Sequence, residues 1–361
     1  MQPRNQLRSR SRLGPATTTA HAAARVRALG RSLERAPLGS SRHELERIHA
    51  AVQSHRDWIE PLRTAIGDAV VGRKHLLDRL LIALVAGGHV LVEGGTGLAK
   101  TLTMRTLGAA TGMTCRSIRL APDMGPADLV LPTAAAGQGA LFANLVLAEG
   151  IDQASPHVQN ALLDVAHERR LSPDAERLDL PDPFLLVATQ GRDPRAGAHP
   201  LGDLQRDRFL LKVVVEHPSP AEERTLLERG PAGSESVLAP LVHPERLRDA
   251  RAVATTVFVD DRMKDYLVTL IHATRDPAHY GLDLARHLHY GVSSRVTLDV
   301  LAAGRAVAFL RGGSYVIPSD LQAIWPDLVR HRLGLTSAAT EEGMRGVDVA
   351  RAILKGIAAP V

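Results

Sequence analysis

The run Gly94-Gly95-Thr96-Gly97-Leu98-Ala99-Lys100-Thr101 holds residue types that can bind a phosphate ester, at a spacing that suits one. Its glycines let backbone N–H groups curl around phosphate oxygens, and a helix starting there would point its positive end at the same anion. Lys100 supplies a compact cation for the β- and γ-phosphates, and Thr101 a hydroxyl for magnesium. The run differs by one residue from G-x-x-x-x-G-K-[ST], with Ala99 at the last glycine position. Lysine is scarce, five residues against 39 arginines, and one of the five stands here. The bland alternative is a glycine-rich turn followed by a chance Lys-Thr. It is disfavoured by the strand predicted before the run and the helix predicted after it.

Other candidate chemistry is weaker. His279, His287 and His289, near Tyr280 and Tyr290, show no H-E-x-x-H spacing and no supporting cysteine, so they read as partly exposed helical histidines. Cys115 is the single cysteine, which excludes an internal disulfide and a Cys-based zinc cluster and leaves a small buried residue. No Ser/His/Asp arrangement emerges from spacing.

The elements that must position the phosphate loop follow from hydrophobic periodicity. Ser41 followed by Glu44 fits a capping box, and helical spacing runs from Leu45 to Ile66, with Pro61 expected to divide it. A helix over 76–85 leads to a strand at 89–93, the glycine cluster, and a helix from about Thr101. Further strand-like runs lie at 145–148, 184–189 and 210–215. Strands separated by helical stretches predict a parallel α/β sheet covered on both faces. Beyond Pro218 and Pro220 the pattern is almost wholly helical. One stripe runs through Met263, Tyr266, Leu267, Leu270 and Ile271, a second covers 295–310, and a third is capped by Ser319 or Asp320. The expected organisation is a basic tail at 1–40, a helical segment at 41–69, an α/β nucleotide-binding domain at 70–218 and an all-α lid at 219–361.

Charge separates the tail from the body. Of 44 Lys+Arg and 39 Asp+Glu, residues 1–40 hold eight Arg and one acid, so the tail carries +7 and the remainder −2. With only 11 aromatics for base stacking, the near-neutral body argues against a nucleic-acid protein. The tail reads as a solvated extension, a transit-peptide-like leader or a polyanion-binding arm. No run of 18 apolar residues occurs, which excludes a membrane-spanning helix. With no secretory signal, a cytoplasmic address is the expectation.

In the order of its motifs, the chain resembles the MoxR family of AAA+ ATPases over roughly residues 60–361. The match is carried by Val70-Val71-Gly72, Glu93 through Thr101, Pro122-Asp123-Met124 with Pro126 and Asp128, and Phe142-Ala143-Asn144. It continues through Gln159-Asn160-Ala161-Leu162-Leu163, Pro183-Phe184-Leu185, Ala188-Thr189-Gln190, Asp207-Arg208-Phe209, Ala273-Thr274-Arg275 and Gly291-Val292-Ser293-Ser294-Arg295. The resemblance implies a ring-forming ATPase, commonly a hexamer, using ATP and Mg²⁺. Adenine would lie beside Val71 and Gly72. Glu149 would be the magnesium acid, Arg208 (with Arg206 a nearby competitor) would reach a neighbour's γ-phosphate, and Arg295 would be the lid arginine that senses nucleotide. It further implies chaperone-like remodelling of a client, often with a partner bearing a von Willebrand factor A domain.

Two positions depart from the family pattern. A hydrolysing site of this kind has two adjacent acids at a strand end, one for magnesium and one for the attacking water. Here Glu149 is followed by Gly150. The polar sensor expected after Thr189-Gln190 is Gly191, Asp152 falls where asparagine is usual, and Gln153 replaces an arginine. Loss of a general base costs on the order of 10²–10⁴ in rate, whereas phosphate binding need not suffer. The expected function is therefore ATP binding with weak hydrolysis. The alternatives are a non-hydrolysing regulatory or structural ring subunit and, less favoured, a nucleic-acid motor.

Overall fold

The computed structural model describes residues 42–95, 97–130, 139–169, 179–192, 198–230 and 238–360. The basic tail, Ser41 of the expected capping box and Thr96 of the phosphate loop lie outside them.

Two helices open the described chain, α1 (Arg42–His55) and α2 (Ile59–Ala69). The expected break between them is present, but Pro61 does not make it. Pro61 sits in the first turn of α2, where a missing N–H leaves no helical hydrogen bond unmade. Helix α3 (Lys74–Ala86) ends at Gly87, whose left-handed backbone (φ 79°) lets its N–H donate to the Ala83 carbonyl. Strand β1 (Val90–Glu93) and helix α4 (Lys100–Ala110) flank the phosphate loop. Then come β2 (Cys115–Arg119), the short α5 (Ala127–Val130), β3 (Leu145–Glu149), α6 (Pro156–Glu168), β4 (Leu185–Gln190), α7 (Asp203–Asp207) and β5 (Leu211–Val214).

These five strands form one parallel sheet in the order β2-β3-β4-β1-β5. Side chains alternate across it as the period of two demands. Val90, Val92, Leu145, Leu147, Leu185 and Val187 face one buried cluster, while Leu91, Val146, Ala148, Leu186 and Ala188 face a second with Leu162, Phe184 and Phe209. Strand β2 escaped the sequence reading because Cys-Arg-Ser-Ile-Arg, at the sheet edge, is only partly buried and lacks an apolar run.

Beyond β5 the described chain is mainly helical, with α8 (Pro220–Arg229), α9 (Pro244–Thr256), α10 (Asp261–Arg275), α11 (Arg295–Arg311), α12 (Pro318–Val329), α13 (Ser337–Glu341) and α14 (Gly346–Gly356). It also holds a small antiparallel pair, β6 (Leu288–Tyr290) with β7 (Gly334–Leu335), which the helical expectation missed. Asp320 caps α12 from inside its first turn, accepting the Ile317 N–H at 2.9 Å, rather than as its N-cap residue. Helices α9 and α11 pack on α3, and α12 packs on β5. The first buried cluster accordingly runs without interruption from α1 through the sheet face to Leu270, Val300, Trp325 and Ile353 of the lid. Among the described residues no helix is long and apolar enough to cross a membrane.

Candidate nucleotide site

A cleft of about 1000 Å³ opens at the carboxyl ends of the parallel strands, where open α/β sheets place ligands. Its walls include Gly94, Gly95, Gly97, Leu98, Ala99, Lys100 and Thr101. The loop's local geometry follows from its residues. A Cβ on Gly94 would lie 2.9 Å from the Val215 carbonyl, so only glycine fits that crossing. Ala99 adopts a left-handed backbone (φ 52°, ψ 23°) at the position where the motif normally has glycine. An L-residue pays about 1–2 kcal/mol for that conformation, which explains the usual residue and makes alanine, the smallest alternative, a tolerable substitute.

Lys100 folds its ammonium back onto the Gly94 and Gly95 carbonyls. Partial burial pushes its pKa below the ordinary lysine value; Glu149 opposes that shift and Arg73 adds to it. Thr101 Oγ1 donates to Glu149 Oε1 at 2.9 Å, and Ser117 Oγ donates to the same oxygen at 2.9 Å. A hydroxyl and a carboxylate in contact beside a lysine form the hard oxygen set that suits Mg²⁺, which usually keeps several waters and needs few protein ligands. Thr101 and Glu149 could therefore hold Mg²⁺, and the loop N–H groups with Lys100 could hold the phosphates of ATP. The bound ion would supply charge neutralisation between phosphate oxygens.

Two glycines stand beside this set. Gly150 lines the cleft with a left-handed backbone (φ 75°, ψ 50°), and its N–H donates to Thr189 Oγ1 at 3.1 Å. Gly191 also lines the cleft. The neighbouring Gln190 is occupied: its amide donates to Glu93 Oε2 at 3.1 Å, and Lys212 pairs with the same oxygen at 2.7 Å. Asp152 and Gln153 reach the cleft wall, and the Gln153 amide donates to the Asp152 carboxylate at 3.2 Å.

Similarity to known proteins agrees with this geometry. Residues 89–211 match the ATPase family associated with various cellular activities, and residues 283–353 match the AAA lid domain. The chain is 37% identical over 301 residues to Chaperone MoxR1 of Mycobacterium tuberculosis, covering 81% of this chain and 79% of that protein. The chain belongs to the MoxR family of AAA+ ATPases. Protein YeaC of Bacillus subtilis is 31% identical, over 84% of this chain and 97% of its own length. A crystal structure of a Cytophaga hutchinsonii protein superposes with a TM-score of 0.81 at 29% identity, covering 88% of this chain and 99% of that one. The fold is thus an α/β AAA+ module followed by an AAA lid domain.

The remaining sequence-predicted residues fall in two places. Val71 and Gly72 do not line the phosphate cleft but are joined to it by Arg73. The buried Arg73 guanidinium donates to the carbonyls of Gly72 (3.0 Å), Leu98 (3.0 Å) and Glu216 (3.1 Å). Arg208 and Arg295 lie elsewhere and together. Arg208 pairs with Asp164, and Arg295 donates to His167 Nδ1 at 3.3 Å, so both rest on partners one turn apart on α6. Neither lines the cleft that contains Lys100. Arg206, the competitor of Arg208, is taken up by Asp203.

Sequence reasoning missed Ser117, Arg73 and the cleft residues Arg119, Arg192 and His217. Position just past a predicted strand's carboxyl end would have flagged Arg192 and His217; no local signal marks the others. It also erred on His287, which is buried and bonded to Glu342 at 2.9 Å rather than partly exposed. Among the described residues no group of three His, Cys, Asp or Glu could hold a metal. Cys115 is partly buried, and that burial raises its thiol pKa to about 11.

Proposed function

We propose that this MoxR-family protein binds ATP with Mg²⁺ in the phosphate cleft, assembles through that nucleotide into a ring or mixed ring, and hydrolyses it slowly. In that assembly it acts on a client protein as a chaperone-like remodeller. The supporting observation is the contrast inside one cleft. Thr101, Glu149 and Lys100 meet as a magnesium-phosphate set, while Gly150 and Gly191 leave the water-activating and water-orienting positions without side chains.

The same contrast favours a second reading, in which ATP holds the assembly together and the chain is a regulatory or structural subunit. In both, Arg208 and Arg295 act on a neighbour's nucleotide, because their α6 partners hold them away from this chain's own Lys100. A trans arginine can contribute roughly 10³–10⁵ in phosphoryl-transfer rate. A neutral body and few aromatics leave the nucleic-acid motor without support.

The test is an ATP-binding titration run beside single-turnover hydrolysis on the purified protein. Binding that disappears in Lys100→Ala, with negligible turnover, is the expected result. Several turnovers per second, abolished by Lys100→Ala, would refute slow hydrolysis.

A further inference from the structure

The two halves of an inter-subunit ATP site are unequally equipped in this chain. Its own cleft has a phosphate-binding set but no side chain at Gly150 or Gly191, and the nearby Thr189 and Gln190 are already engaged. The arginine face, by contrast, is complete and braced from behind.

The brace is Arg332, whose side chain is 2% exposed. Its guanidinium pairs with Asp299 at 2.6 Å and Asp207 at 3.1 Å, and donates to the carbonyls of Asp207 (3.0 Å) and Phe209 (2.9 Å). Asp207 immediately precedes Arg208, and Asp299 lies one helical turn from Arg295. Ser293 adds a hydrogen bond to Asp207 at 3.2 Å, and His331 one to the Phe209 carbonyl at 2.9 Å. One buried cation therefore fixes the backbone on either side of Arg208 and ties it, through Asp299, to the helix that begins at Arg295.

In front of the brace the surface is built for a protein. Leu204, one turn before Arg208, is 86% exposed, and Leu298, one turn after Arg295, is 68% exposed. Each arginine thus has an uncovered leucine beside it, and Tyr290 adds a third apolar surface, anchored through its hydroxyl to Asp203. Two cations that Asp164 and His167 can release, ringed by apolar side chains, match the rim of a cleft that presents a triphosphate.

We propose that this chain works chiefly as an arginine donor. It presents Arg208 and Arg295 to ATP held by a neighbouring AAA+ chain whose own cleft carries both adjacent acids and a polar sensor, while its own ATP is held without turnover. This rests on the trans reading of the two arginines given above and adds the identity of the partner, a hydrolysis-competent chain rather than an equally inert copy. In that partner a water oxygen attacks the γ-phosphorus, and the bond to the β,γ-bridging oxygen breaks with its electron pair remaining on ADP. The water proton passes to the partner's carboxylate. Arg208 and Arg295 stabilise the charge on the transferring phosphoryl group.

Complementation tests the proposal. An acceptor is made from this chain as Gly150→Glu, Gly191→Asn, Arg208→Ala and Arg295→Ala, and is mixed with wild-type protein. Each alone should show background turnover, and the mixture at least a tenfold excess over their sum. A donor bearing Arg208→Ala and Arg295→Ala should give no excess. If Gly150→Glu with Gly191→Asn turns over when its arginines are intact, yet the mixture only equals the sum, donation is overturned and the slow-hydrolysis reading stands. Wild-type protein turning over by itself would instead remove that reading. Should the repaired cleft stay inert, cross-linking decides. Leu204→Cys in the wild-type chain and Arg192→Cys in the Gly150→Glu, Gly191→Asn chain, both in a Cys115→Ser background, should join only when ATP is present. Absence of that cross-link overturns the proposal.

Discussion

Replacing Gly150 with glutamate separates fold from chemistry at one position. A Cβ built on Gly150 meets the Gln153 Cγ at 3.4 Å and the Leu120 carbonyl at 3.9 Å, both ordinary contacts, so a side chain has room. The cost lies in the backbone, since φ is 75° and a non-glycine residue there loses about 1–2 kcal/mol. Restricting the unfolded chain returns roughly 0.4–1 kcal/mol, which leaves a net loss of about 1 kcal/mol and a melting temperature about 1–2 °C lower. Against that small loss, a carboxylate beside Glu149 should raise single-turnover hydrolysis by roughly 10²–10⁴, the worth of a positioned general base. Thermal melting, ATP titration and rapid-quench hydrolysis on the same preparation read all three quantities, with Lys100→Ala as the control for cleft-dependent turnover. A variant that melts as expected and binds ATP normally, yet hydrolyses within twofold of the parent, would refute the assignment of Gly150 to the water-activating position.

Four further outcomes follow from the geometry. Glu149→Gln removes the carboxylate that meets Thr101 and should weaken the magnesium-dependent part of ATP affinity about tenfold or more, seen as a flattened Mg²⁺ titration. Ala99→Gly relieves the left-handed backbone at that position and should stabilise the protein by about 1 kcal/mol in denaturant unfolding without loss of ATP binding. His89 is buried between the Ala166 carbonyl and the Leu186 N–H, and that burial lowers its pKa from 6.5 to about 4. The unfolded chain therefore binds the extra proton first. Stability is full above pH 6.5 and falls by about 3 kcal/mol as the pH drops to about 4, with buried His331 acting in the same direction. A His89→Gln variant should lose stability less steeply over that range. Cys115, with its thiol raised to about 11, should resist iodoacetamide at neutral pH in the folded protein and react on unfolding.

What could be read before the structure was mostly local. The phosphate loop announces itself in eight consecutive residues, and β1, β3, β4 and β5 are short, largely apolar runs bounded by turn residues, as a buried parallel strand requires. The place of Glu149 at a strand end was also legible, because it follows directly on such a run. What could not be read depends on neighbours distant in sequence. Arg332 meets Asp207, 125 residues away, and Arg73 meets Glu216, 143 residues away, so neither partner is visible from a window of sequence. Ser117 reaches Glu149 from β2, a strand too polar to be seen. The burial of His287 depends on Glu342 and on the small β6–β7 pair, which periodicity does not register. The resemblance supplied Arg208 and Arg295 as residues, but only the fold shows them resting on partners one turn apart on α6.

The uninterrupted apolar cluster that joins α1, the sheet and the lid has a mechanical consequence. Swinging the lid away from the sheet would bring Val300, Trp325 and their neighbours into water, at roughly 1.5–3 kcal/mol for each large side chain uncovered. Such a body resists bending. In the proposed assembly, strain created by a nucleotide at the cleft would be passed on whole, as a tilt of one rigid wedge against the next, and the compliant joints would be the seams between chains.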